Sequence, residues 1–196
     1  MIREIAPCIW GLEKIISPQD LKLILDEFEY TTIQLNKVEK FDSVPKNAPR
    51  WGYLRKGTKD LLGDNFTLIK YAELYKLLAA KIVGKRLELT RINTNIQQAL
   101  QDSTFHVDGG INSWTLLIFL STNWDTNWGG EFVCQTKEQN PTYVSVPYIP
   151  GNGALFRGDL WHRGAAPNYM CEEVRLSLAF TYTEIWGDLR VSFFYK

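Results

Sequence analysis

The feature that most constrains this chain is a change of rhythm near Arg86. Before it, apolar residues recur with helical spacing; after it, the sequence breaks into short apolar runs separated by Gly, Asn, Asp and Pro. Ser17-Pro18-Gln19-Asp20 reads as an N-cap followed by proline at the first helical position, and Leu21, Leu23, Ile24, Leu25 and Phe28 give the amphipathic helix behind it. A second helix is expected over 65–83, with Phe66, Ile69, Leu74, Leu77, Leu78 and Ile82 as its apolar stripe and Gly84 as its stop. Between the helices, Pro45 to Lys59 is rich in Pro, Gly, Lys and Arg and reads as a loop, of which Pro45 to Tyr53 is either a cover over a substrate or simply a connector, its length inside a compact domain favouring the cover. Beyond Arg86 the runs Trp114–Leu120, Glu131–Gln135, Tyr143–Val146, Ala154–Arg157 and Val174–Tyr182 read as strands. Helices first and strands after predict a mostly β fold with flanking α: a double-stranded β-helix (jelly roll) with N-terminal helices packed on one sheet. No repeat or linker divides the chain, so its 196 residues are expected to form one domain, helical over about 1–85 and jelly roll over about 86–183.

Charge narrows the partners. Lys plus Arg number 22 and Asp plus Glu number 22, so the basic excess of a phosphate-backbone binder is missing. Cys8, Cys134 and Cys171 are odd in number, widely spaced and in no CxxC pair, which suits reduced thiols in a cytoplasmic protein. No apolar run approaches the roughly 18 residues of a membrane span, and the first residues lack the uninterrupted apolar core of a signal peptide.

Histidine is scarce, with two in the chain. His106 stands in FHVDGG, two residues before Asp108. On a strand, residues two apart share a side, so imidazole and carboxylate would face one space while Val107 faces away; Gly109-Gly110 then lets the chain turn. His162 lies in GDLWHRGAAPN, with Trp161 and Arg163 expected to alternate away from it. A His-x-Asp pair with one distant His is the composition of a facial triad that binds iron(II) with open positions, and the lack of Cys ligands argues against structural zinc. By itself HxD is a weak signal and reads more readily as an ordinary exposed histidine and a turn aspartate.

Strict alternation in Val174–Tyr182 puts Arg175, Ser177, Ala179 and Thr181 on one face and Val174, Leu176, Leu178, Phe180 and Tyr182 on the other. Turned into a barrel, Arg175 would be a buried cation in need of a carboxylate. Turned outward, it would pair on the surface of an edge strand.

Taken in order, His106-x-Asp108, His162 and Arg175-x-Ser177 resemble the signature of the Fe(II)/2-oxoglutarate-dependent dioxygenases, in particular their prolyl 4-hydroxylase-like branch. WGGEF at 128–132 is similar to that branch's GGE turn, IPGNGALFRGDLWHRGAAPN to its distal-histidine segment, and CIWGLEKIISPQDLKLILDEF to its opening strand and helix. The likeness covers roughly residues 5 to 183.

The resemblance implies Fe(II) held by His106, Asp108 and His162, 2-oxoglutarate as cosubstrate with its far carboxylate on Arg175 and Ser177, O2 as oxidant, and ascorbate as an accessory reductant. It implies a dioxygenase that decarboxylates 2-oxoglutarate to succinate and CO2 and hydroxylates an aliphatic C–H bond of a prolyl or other peptidyl residue, a free amino-acid side chain, or a similar small molecule. The retained Asp108 favours hydroxylation over halogenation, for which related enzymes carry a small residue there. A tyrosine that often helps bind 2-oxoglutarate before HxD is missing; Asn93, or Gln98, is the nearest substitute. Trp124 and Trp128 stand either as an aromatic wall over the substrate or as packing for their own loop. Two other readings compete: a metal-binding jelly roll without turnover, acting as sensor or scaffold, and a nucleic-acid demethylase. The second lacks the further arginine such enzymes carry beyond Arg175.

Overall fold

The computed structural model describes residues 1–30, 54–56 and 66–185. Among them two antiparallel sheets face each other. The larger runs in the order β1 (Ile2–Ala6), β2 (Ile9–Leu12), β8 (Gly153–Arg157), β5 (Ser113–Phe119), β10 (Arg175–Glu184), β4 (Leu87–Gln97) and β3 (Leu54–Lys56). The smaller holds β7 (Tyr143–Val146), β6 (Phe132–Gln135) and β9 (His162–Gly164). The expected double-stranded β-helix is therefore what forms, with helices α1 (Pro18–Tyr30) and α2 (Phe66–Val83) on the outer face of the larger sheet. No helix among the described residues is long and apolar enough to cross a membrane.

β5 and β10 sit at the centre because both their faces are covered. All seven residues of β5 are buried, which explains why apolar residues fill both of its faces from Leu116 to Phe119 rather than alternating with polar ones. Toward the helices, Leu116, Ile118, Leu178, Phe180 and Tyr182 join Ile24, Leu68, Tyr71 and Tyr75 in one cluster. Burying each such large side chain contributes about 1.5–3 kcal/mol. A second cluster, with Phe119, Phe132, Phe156 and Leu160, fills part of the space between the sheets.

Helix α1 begins as its sequence requires: the Asp20 amide donates to Ser17 Oγ at 3.0 Å, satisfying an otherwise orphaned donor of the first turn. Tyr71 of α2 donates its hydroxyl to the Asp20 carboxylate, tying the two helices together. Gly84, at φ +68°, stops α2 in the left-handed conformation.

The phase of α2 differs from the expected stripe. The sheet-facing side is made of Leu68, Tyr71, Ala72, Tyr75 and Ala79, with Leu78 and Ile82 partly buried at its margin, while Ile69, Leu74 and Leu77 are exposed. The alanines let the helix approach the sheet closely, and the tyrosines bury rings whose hydroxyls are satisfied, Tyr75 by Ile15 O at 3.3 Å. Leucine spacing therefore marks the wrong side. Within the stretch read as a loop, 54–56 form an edge strand on β4; the proposed cover at 45–53 lies outside the described residues, as do the side chains of Phe28 and Phe66.

Candidate metal centre

Residues 91, 93, 95 and 97 of β4 alternate toward the space between the sheets, and registration on β10 and β5 turns them into cross-strand rows. Gln97 lies opposite Arg175, Asn95 opposite Ser177, Asn93 opposite Ala179 and Arg91 opposite Thr181. On the other flank, Leu117 opposes Ala179 and Thr115 opposes Thr181. These rows form one wall of a cavity of about 420 Å³, whose opposite wall includes Phe132, Trp161, His162 and Gly164.

His106, Asp108 and His162 meet at this cavity, with one potential ligand atom from each lying within 4.8 Å of the others. His106 does not belong to a regular strand. It makes a single antiparallel bridge to His162, with reciprocal backbone hydrogen bonds of 3.0 and 2.9 Å, and the Asp108 amide then donates to Gly158 O at 2.8 Å. That short extended piece sets Val107, 45% exposed, between the two ligands at the rim of the cavity. It also brings the two imidazoles, far apart in sequence, to a ring separation of 4.4 Å.

Each imidazole is oriented by its own backbone. His106 Nδ1 lies 2.9 Å from Thr104 O and His162 Nδ1 lies 2.9 Å from Leu160 O. A carbonyl can only accept, so both Nδ1 atoms carry the proton and both Nε2 lone pairs are left for a metal. His162 packs on Phe156 and Phe132, and burial pushes its pKa down to about 4, against the opposing pull of Asp108. It is therefore neutral near pH 7, the form a ligand needs.

Asp108 is half of the same arrangement. Burial raises its carboxyl pKa, yet nearby His162 and Arg91 and the Thr115 hydroxyl together hold it below the usual carboxylate range. Arg91 donates to Oδ1 at 2.7 Å and Thr115 to Oδ2 at 2.8 Å, while His162 Nε2 lies 3.5 Å from Oδ2. Two imidazoles and one carboxylate are a donor set for a divalent first-row metal.

At the other end of the wall Arg175 is 1% exposed. Its Nε donates to Gly130 O at 2.7 Å, and one terminal nitrogen donates to Gln97 Oε1 at 2.8 Å and to Ser177 Oγ at 3.4 Å. The other terminal nitrogen, buried, has no partner among the described residues. The guanidinium lies over the Tyr148 ring at 5.0 Å, and burial pushes its pKa down from the usual arginine value. Of the two orientations the sequence left open, the inward one is observed.

The WGGEF turn explains how this cation is held. Gly130 adopts φ +80°, and a Cβ there would stand 2.8 Å from Trp124 Cζ2 and 3.3 Å from Arg175 Cδ. Only glycine fits, and it is its carbonyl that fixes Nε.

The remaining expected residues divide. Asn93 is buried and lines the cavity, with no side-chain hydrogen bond among the described residues. Gln98 is exposed beyond the end of β4, and its neighbour Gln97 is the one that faces inward, as the parity of β4 demands. Trp124 and Trp128 pack edge to face on each other at 5.5 Å, Trp124 also on Tyr148 at 4.3 Å, and neither lines the cavity; the loop-packing reading fits this geometry and the aromatic wall does not. Trp161, expected to turn away, lines the cavity while remaining 51% exposed, whereas Arg163 turns out to Asp102. Sequence reasoning missed Arg91, Thr115, Gln97 and Tyr148. Carrying the alternation of β10 across to β4 would have found Gln97 and Arg91; Tyr148, in the loop after β7, had no pattern to reveal it.

No family model matches the sequence, and no curated protein matches it. Solved structures do. A prolyl-4-hydroxylase from Pseudomonas putida matches with a TM-score of 0.68 at 11% identity, covering 91% of this chain and 93% of that one. SnoN, a non-heme alpha ketoglutarate dependent epimerase from nogalamycin biosynthesis, matches with a TM-score of 0.69 at 15% identity over 90% and 76% of the respective chains. HygX from Streptomyces hygroscopicus, solved with nickel and 2-oxoglutarate bound, gives 0.63 at 16% identity over 91% and 83%. At such identities the likeness is one of fold.

Proposed function

We propose that this chain is an Fe(II)- and 2-oxoglutarate-dependent dioxygenase of the prolyl 4-hydroxylase-like kind, hydroxylating an aliphatic C–H bond of a peptidyl or free amino-acid side chain or a similar small molecule. One observation carries the reading: a fully buried guanidinium, with a terminal nitrogen that has no partner among the described residues, shares a cavity with two metal-ready imidazoles and a carboxylate. A buried unpaired cation is costly unless a ligand anion completes it. A protein that merely stored a metal would gain nothing from that cost, which argues against the sensor or scaffold alternative.

The residues fit the roles. His106 and His162 through Nε2, with Asp108 through a carboxylate oxygen, would hold the metal; Arg175, assisted by Ser177, would receive the far carboxylate of the cosubstrate. Gly164, two residues beyond His162 on β9, stands so close to Arg175 that a Cβ on it would lie 3.1 Å from the guanidinium. Two strand residues span about 6.5 Å, a gap that a short dicarboxylate bridges. When bound, iron and 2-oxoglutarate supply the oxidative chemistry with O2. The chain supplies the rest: Leu117, Phe132 and Ala179 keep the cavity wall apolar between the polar ends, Thr115 and Arg91 fix the carboxylate of Asp108, and the Gly130 carbonyl fixes Arg175. Three free thiols support a reducing, cytoplasmic setting.

The test is turnover. Anaerobically prepared protein given Fe(II), 2-oxoglutarate and O2 should form succinate, slowly without substrate and faster with the right peptide or amino acid. Replacing Asp108 by Ala should abolish it. Succinate formation equal in wild type and Asp108→Ala, or missing from both across a broad panel of substrates, overturns the proposal.

A further inference from the structure

The cavity has a second cation, and neither the metal nor the cosubstrate accounts for all of it. Arg91 lines the wall at the metal end, in the row of Thr181 and Thr115. One terminal nitrogen is committed, to Asp108 Oδ1 at 2.7 Å and to Thr181 Oγ1 at 3.4 Å. Its Nε is sealed from solvent without a partner, and its other terminal nitrogen makes no hydrogen bond among the described residues. Unlike Arg175, its side chain is 33% exposed, so it stands where the cavity opens.

Charge points the same way. The lining residues include two guanidiniums and one carboxylate, that of Asp108. With a divalent metal and a dianionic cosubstrate in place, four positive charges would face three negative ones, a surplus of one. A partly desolvated cation with one terminal nitrogen uncommitted attracts an anion, and a carboxylate or phosphate is the partner that a guanidinium matches. Beside it the same lining offers exposed apolar surface, Val107 and Trp161.

We propose that Arg91 is a specificity-determining residue that binds an anionic group of the substrate, a carboxylate beside an apolar body, as in a free amino acid or the C-terminal residue of a short peptide. This rests on the dioxygenase reading and narrows it: uncharged interior peptide segments become poor substrates. The competing role is positioning alone, with Arg91 doing no more than holding Asp108.

The two roles separate in a binding measurement that needs no turnover. Protein loaded with Mn(II) and 2-oxoglutarate is melted in the presence of a panel of apolar L-amino acids and N-acetylated amino acids, each offered as free acid, amide and methyl ester. Bound ligand raises the melting temperature by mass action. The free acids should bind at least about tenfold more tightly than their amides and esters, the discrimination expected when a charged hydrogen-bond partner is lost. In Arg91→Gln that preference should vanish, with the acids falling to the level of the amides, and in Arg91→Lys much of it should survive. Equal binding of acids and amides to the wild type, no binding by any acid, or an Arg91→Gln change that weakens acids and amides alike, overturns the proposal. Failure of 2-oxoglutarate itself to raise the melting temperature of the Mn(II)-loaded wild type would instead sink the dioxygenase reading beneath it.

Discussion

The two faces of strand β10 are built from alternate residues of one decapeptide and do opposite work. Leu176, Leu178, Phe180 and Tyr182 face the helices and pack into an apolar cluster, whereas Arg175, Ser177, Ala179 and Thr181 face the inner space with polar atoms among the buried groups. The helix side gains stability from every residue it buries. The inner side gives some up: Arg175 lies buried with one donor unmet among the described residues. Under the proposed function a ligand completes that residue, so the asymmetry across one strand would separate what holds the molecule together from what it does.

That separation can be broken from either side. Phe180→Ala, on the helix face and packed on Tyr75 at a ring separation of 5.6 Å, should cost about 3–5 kcal/mol of stability in denaturant unfolding while leaving the metal affinity of the still-folded fraction unchanged. A large loss of metal affinity would mean that the faces are coupled. Arg175→Met should do the reverse. It should cost the unliganded fold less than the Phe180 change, because a buried charge is exchanged for apolar volume, and weaken 2-oxoglutarate binding by about 2–5 kcal/mol, read by calorimetry on the Mn(II)-loaded protein.

Between these extremes lies Thr115→Val, which removes the hydroxyl that donates to Asp108 Oδ2. Outer hydrogen bonds to metal ligands are worth about 10–100-fold in affinity, so Mn(II) binding should weaken by that factor with little change in the melting temperature. The smallest effect is expected at Leu77 of α2, which the sequence pattern assigned to the core and the structure leaves 66% exposed. Leu77→Glu should change stability by no more than about 0.5 kcal/mol; a loss of several kcal/mol would restore the leucine stripe as the buried face.

These cases also show what the sequence could reveal. The alternation of Val174–Tyr182 gave both faces of β10, because a period of two survives wherever a strand is paired on both sides. The candidate metal set was legible because histidine is scarce: with only His106 and His162 in the chain, HxD and the distal histidine had few other partners. What stayed hidden depended on registration between strands. Gln97 and Arg91 face the cavity because β4 pairs with β10 residue by residue, a relation no local pattern contains. The phase of α2 was hidden for a related reason: tyrosine hydroxyls satisfied by Asp20 and Ile15, distant in sequence, made a face that leucine spacing alone ranks second.

The central claim is that His106, Asp108 and His162 hold one metal beside a guanidinium waiting for a dicarboxylate. Its most direct test is an anaerobic titration with Fe(II) and then 2-oxoglutarate, followed by visible absorption. One equivalent of iron should bind per chain, and a metal-to-ligand charge-transfer band should grow in only when 2-oxoglutarate is added and be missing from His162→Ala. A band of equal strength in His162→Ala, or iron that never saturates on the wild type, would contradict the account.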